Sequence, residues 1–223
     1  MASVASPYGL KPIALIGSQS NNNSAVREFK VAADTTAFYV GDLVVLSSAG
    51  LPSRVNTTSP VAAVLPALAG NATAGTVGIV GVCTGVRYVN PATKQSLWAQ
   101  YLPANAVSAG YTDIWVQVYE DYDGLFQIQG SAALGTFNSG TAGSGWPGAI
   151  GKNAAIGFGT PNATTGLSDV KLVVGTNGAS LAATSSLALR IVDMVRGTET
   201  DAYPEFIVKL NWGLHSYTNP LGV

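Results

Sequence analysis

The run Phe206-Ile-Val-Lys-Leu-Asn-Trp212 places Phe206, Val208, Leu210 and Trp212 on one face of an extended chain. Ile207, Lys209 and Asn211 take the other face. Side chains alternate across a strand, so a period of two with one apolar face demands a half-buried β-strand. The same signal recurs between turn residues. It predicts strands at 38–46, 77–83, 96–102, 114–119, 125–129, 170–174 and 187–195. In the run 114–119, Ile114, Val116 and Val118 share a face. Asp123-Gly124 reads as the turn between two of these strands. Helix-period segments are scarce: 61–68 contains Pro66, and 103–109 spans at most two turns. No repeat of fixed period is visible. The expected fold is mostly β, a sandwich or a barrel.

Two regions depart from the strand pattern. Residues 1–25 read as an extended arm, because Pro7 and Pro12 disfavour helix and Gly9 and Gly17 punctuate it. Tyr8, Leu10, Ile13, Leu15 and Ile16 make the arm adhesive. It can fold back on its own domain or lie on another subunit. Residues 26–223 form the β domain. Within it, 130–168 is rich in Gly, Ala, Ser, Thr and Asn around Trp146-Pro147-Gly148. A structureless loop of that length is uncommon, so short strands such as Ala155–Phe158, or a contact surface, are expected there.

Charge narrows the function. Only 10% of residues are Asp, Glu, Lys or Arg, against about 25% in an ordinary chain. No such residue lies between Arg54 and Arg87, or between Asp123 and Lys152. The formal net charge of −1 gives no electrostatic footprint for nucleic acid. A surface this neutral suits a component covered by neighbours in an assembly. The opening Met1-Ala-Ser-Val-Ala-Ser-Pro7 has no basic n-region followed by an apolar core, so no secretory signal is expected. Pro66, Asn71 and several glycines break the uncharged segment 61–86, so no transmembrane helix is expected.

Reactive side chains are few. The single Cys83 excludes an internal disulfide framework and lies in an apolar strand, as an inert buried thiol would. The single His215 has no Gly-x-Ser-x-Gly elbow to serve. Gly148-Ala-Ile-Gly-Lys-Asn153 lacks both the first glycine and the hydroxyl residue of a phosphate loop. Glu120, Asp121 and Asp123 flank a turn that favours acids, although hard cations want the same oxygens. Trp98, Trp115 and Trp212 lie in strands and are expected in the core. Trp146, in a Gly-rich loop, is expected to be an exposed or interface anchor. No catalytic, cofactor or metal site is expected.

Several phrases then carry a resemblance. Ser6-Pro-Tyr-Gly-Leu-Lys-Pro-Ile13 resembles the leader of small virion proteins of tailed bacteriophages, notably aquatic ones. Phe38–Leu46, Val77–Gly81, Trp98–Pro103, Val118–Ile128 and Ala202–Asn211 follow in the order of that group. The Gly41-Asp42-Leu-Val hairpin is similar to the β-tulip of head decoration proteins. The resemblance implies a capsid cement or decoration protein on the outer surface of the virion. It would bind the major capsid protein and itself, as a trimer, with no nucleic-acid or membrane partner and no catalytic residues. The contact residues expected are Tyr8, Leu10, Ile13, Leu15, Ile16 and Trp146. Deleting residues 2–17 is expected to leave the β domain folded and weaken attachment. A head-fibre or tail component and a carbohydrate-binding β module are the alternative readings.

Overall fold

The computed structural model describes residues 4–16, 26–47, 49–55, 79–134, 146–175, 180–183, 187–211 and 215. Among them run β1 (Lys11–Leu15), β2 (Val26–Lys30), β3 (Phe38–Tyr39), β4 (Leu43–Leu46), β5 (Pro52–Arg54), β6 (Ile79–Val89) and β7 (Ser96–Ala99). There follow β8 (Tyr101–Leu102), β9 (Thr112–Tyr119), β10 (Gly124–Gln129), the short helix α1 (Trp146–Ala149), β11 (Asn153–Gly157), β12 (Lys171–Val173), β13 (Leu189–Met194) and β14 (Glu205–Leu210). Pro147 occupies the first turn of α1, where its missing N–H leaves no bond unmade. No described helix is long and apolar enough to cross a membrane.

The strands form two open antiparallel sheets rather than a closed barrel. The first has the order β1-β10-β14-β13-β11-β12. The second has the order β2-β9-β6-β4-β5, with β7 also on β6 and a separate β3–β8 pair nearby. Between the sheets lies one core: Leu43, Ile79, Val82 and Tyr119 of the second sheet against Phe126, Ile128, Ile191, Phe206 and Val208 of the first. A second core covers the opposite face of the second sheet. There Phe29, Val44, Val86, Val116 and Val118 meet Phe38, Leu102, Ala106 and Ile114.

This arrangement explains two kinds of sequence pattern. β14 has a core on one face only, and its burial alternates along the strand. In β6, by contrast, Ile79 to Cys83 are all buried, because both cores press on that stretch. An unbroken apolar run is what a strand buried on both faces requires. The Gly-rich region is partly built into the sandwich: β11 joins β12 and β13. The border strands are guarded against further pairing. β1 carries Lys11, Pro12 and a register shift, and β2 carries Arg27, Glu28 and Lys30.

The structure corrects the separate arm. β1 is the border strand of the first sheet, paired to β10. Leu10 is only 1% exposed and belongs to the core between the sheets. Deletion of residues 2–17 therefore removes a strand and a core leucine as well as a contact segment. Pro12 concealed this strand in the sequence, yet proline is compatible with a border position.

Candidate functional site

The arm locks onto the turn between β3 and β4 through two glycines; the Gly-Asp segment is not the hairpin expected from the sequence, because β3 pairs with β8 and β4 with β5 and β6. Gly9 (φ 81°) and Gly41 (φ 90°) both adopt left-handed backbone. A Cβ on Gly9 would lie 2.5 Å from the Gly41 carbonyl oxygen, and one on Gly41 would lie 2.5 Å from the Tyr8 carbonyl oxygen. Only glycine fits such a crossing. Across it the Leu10 N–H donates to the Gly41 carbonyl at 3.0 Å. The Tyr8 hydroxyl sits by Gln127 and Glu205, and burial first, then Glu205, raises its pKa. A cleft of about 500 Å³ opens beside the crossing, lined by Tyr8, Leu10, Lys11, Pro12, Val40, Thr84 and Leu167.

Directly after Gly41 stands Asp42, fully buried and the hub of a polar cluster. It accepts from the Tyr39 N–H at 2.9 Å and from the Ser168 hydroxyl at 2.5 Å. Its backbone bonds continue the hub: the Cys83 N–H donates to the Asp42 carbonyl at 2.8 Å, and the Gly41 N–H donates to the Cys83 carbonyl at 2.8 Å. The Arg54 Nε lies 2.8 Å from the Asp42 carboxylate, a buried ion pair. The Arg54 guanidinium also stands 5.0 Å over the Tyr39 ring. Burial raises the Asp42 pKa to about 6, although Arg54, Ser168 and the Tyr39 N–H pull it down. Desolvation thus outweighs the attraction of the nearby cation.

The phrases that carry the resemblance touch one another pairwise. The Val40 N–H is shared between the carbonyls of Gln100 (3.1 Å) and Gly166 (3.0 Å). Gly81 lies so close to the Tyr119 backbone that a Cβ would sit 2.0 Å from its carbonyl oxygen. β14 pairs with β10 from Leu125↔Lys209 to Gln129↔Glu205. Sequence reading flagged the Gly-Asp pair but gave Asp42 no role. The available signal was a lone acid inside the apolar run 38–46.

The expected contact residues are dispersed. Ile16 is 49% exposed, Tyr8, Ile13 and Leu15 are half-buried, and Leu10 is withdrawn into the core. Burial removes Leu10 from any contact made by the folded chain. Trp146 opens α1, and its side chain lies outside the described residues. Val4, 74% exposed at the other end of the arm, is an apolar side chain that the sequence reading did not single out.

The acids around the β9–β10 turn have structural partners. Glu120 pairs with Arg27 at 3.3 Å, and Asp123 pairs with Lys209. The Asp123 N–H donates to the Asp121 carboxylate at 2.8 Å. His215 is 2% exposed and its Nε2–H donates to the Glu120 carbonyl at 2.8 Å, since a carbonyl can only accept. Burial lowers its pKa, against backbone hydrogen bonds to Glu120 and Val80 that pull it up. Cys83 is fully buried, and burial, then Asp42, pushes its thiol pKa up to about 12.

The tryptophan expectation needs correction. Trp98 is 63% exposed and Trp115 is half-buried; by alternation Trp115 lies on the same face of β9 as Tyr119, but at the end of the strand away from the core between the sheets. In β9 the core takes Ile114, Val116 and Val118, so alternation turns Trp115 outward. Trp212 lies outside the described residues.

These features define an antiparallel β-sandwich in which the segment leading into β1 is clamped to the Gly-Asp turn between β3 and β4. No family model, curated protein or solved structure matches the chain.

Proposed function

We propose that this chain is a capsid cement or decoration protein of a tailed-bacteriophage head. In this reading it binds the outer surface as a homo-oligomer, a trimer, and holds neighbouring major capsid subunits together. The observation that carries the reading is the convergence of the resembling phrases. The Tyr8-Gly9-Leu10 leader meets the Gly41-Asp42 turn, Val40 bonds to Gln100, Gly81 meets Tyr119, and β10 pairs with β14, so each phrase touches another. An ordered set of phrases in such contact supports a shared architecture better than scattered surface matches would.

The contact follows from what the arm leaves outside. Leu10 and Tyr8 anchor β1 to its own domain, while Val4 and Ile16 stand exposed at either end of it. Attachment then runs through side chains flanking an already ordered strand. Because β1 is held in place, binding avoids most of the backbone ordering cost of about 1–2 kcal/mol per residue that a free arm would incur. One such contact is weak, and three presented together gain about 10²–10⁴-fold by avidity.

Quantitative mass spectrometry and an electron-microscopy map of purified particles test the reading. Hundreds of copies on the head surface are expected, and Ile16→Glu in the full chain should lower occupancy while leaving the thermal transition unchanged. Absence from heads overturns the proposal. A handful to dozens of copies at a vertex or tail replaces it with the fibre or tail reading.

A further inference from the structure

One row of side chains crosses the second sheet beyond the edge of the core between the sheets: Trp98 on β7, Arg87 on β6 and Trp115 on β9 are direct cross-strand neighbours. The Arg87 guanidinium stands 5.9 Å from the Trp98 ring centre and 5.7 Å from that of Trp115. Both indoles thus flank one cation, two strand spacings or about 9.6 Å apart. The row is held in place from below. Asp113, at φ 49° in left-handed backbone, accepts from the Arg87 guanidinium at 2.6 Å and from the Trp115 Nε1–H at 2.7 Å. A non-glycine residue in that conformation is strained, and such strain gathers where side chains must be aimed. Glu28 adds a second carboxylate 3.7 Å from Arg87 and accepts from the Gln117 amide at 3.4 Å.

We infer that this row is a binding platform for a neutral oligosaccharide. Three observations select that occupant. First, the two cations of the row, Arg87 at its centre and Lys30 across from Trp115, are matched by Asp113 and Glu28, so the platform presents no surplus positive charge for a phosphate or sulfate. Second, apolar exposure on the row is one indole face, Trp98 at 63%, with Trp115 half-covered beside it. That is far below the roughly 800 Å² per partner that a stable protein interface buries, but it suits a single sugar ring stacked through its C–H face. Third, the surrounding groups are carboxylates, an amide and guanidinium N–H donors. These are the short-range donors and acceptors that hydroxyls satisfy at the rim of a stacked ring. The platform lies on the second sheet, away from the arm, and the inference does not depend on the head-binding reading.

The test is a neutral-glycan array, followed by isothermal titration calorimetry of the full chain with cellohexaose, chitohexaose and maltohexaose. Binding of at least one neutral oligosaccharide is expected, weakened at least about tenfold by Trp98→Ala and largely retained by Trp98→Tyr, which keeps a ring. Trp98 is exposed, so both variants should keep the parent thermal transition; Asp113→Asn, which loosens Arg87, should weaken binding without abolishing it. No binding to any arrayed neutral glycan overturns the inference. So does binding confined to sulfated or sialylated glycans, or affinity untouched by Trp98→Ala.

Discussion

Replacing Asp42 separates two explanations of why a charged residue is buried at the hub. If the ion contact with Arg54 dominates, Asp42→Asn and Asp42→Ala should be equally harmful, each at about 3–5 kcal/mol, the usual effect of leaving a buried charge alone. The structure argues otherwise. Burial lifts the Asp42 pKa to about 6 against the pull of Arg54, so the charged carboxylate is worse placed in the folded chain than a neutral acceptor would be. What Asp42 supplies is geometry: one acceptor for the Tyr39 N–H and one for the Ser168 hydroxyl. Asparagine keeps an oxygen for the Tyr39 N–H and can donate its amide N–H to the Ser168 hydroxyl oxygen, so Asp42→Asn should stay within about 1 kcal/mol of the parent at pH 7. Alanine orphans the Tyr39 N–H and leaves a small void, so Asp42→Ala should cost about 2–4 kcal/mol, roughly 4–16 °C in Tm for a chain of this size. The sign of the pH dependence follows from the raised pKa. Between the ordinary carboxylate value near 4 and about 6, the folded chain binds more protons at this site than the unfolded chain. Asp42 therefore favours folding most below that window, and its contribution falls as pH rises through about 6, by on the order of 3 kcal/mol. Urea melts from pH 4 to 8 should show this slope in the parent and its loss in Asp42→Asn. An Asn variant as damaged as Ala at pH 7, with the slope unchanged, would refute the reasoning.

Three further outcomes are expected. Gly9→Ala should destabilise by well over the ~1–2 kcal/mol of left-handed strain alone, because its Cβ meets the Gly41 backbone, whereas Gly50→Ala (φ 72°, open space) should show the strain term alone in the same denaturant melts. Leu10→Ala should cost about 2–5 kcal/mol by chemical denaturation, and a variant losing less than 1 kcal/mol would show that the arm is not part of the core. Cys83 should resist a thiol reagent in the native chain and react at the unfolding rate, which timed labelling across a urea series measures; rapid native labelling would contradict its burial.

The strands with a clear period of two were legible, because alternation records which face meets a core. β14 was placed within about two residues of its ends, and β9, β10 and β13 were found where alternating apolar residues stood. β2 and β5 were missed: each is short and lies at a sheet border, so few of its residues carry a burial signal. β1 was read as an arm because Pro12 masks a strand whose outer side needs no partner. The platform was misjudged for a different reason. Tryptophan in a strand suggests core, but the face it takes is set by its neighbours, and Ile114, Val116 and Val118 had already claimed the inner side. Asp42 was illegible as a hub because two of its partners, Arg54 and Ser168, come from distant parts of the chain.

The lysine, proline and register shift on β1, with the charged residues along β2, have a consequence for crowding. Molecules held shoulder to shoulder at high local density would find these two borders poor ladders to extend, so close neighbours can touch there without zipping strand to strand.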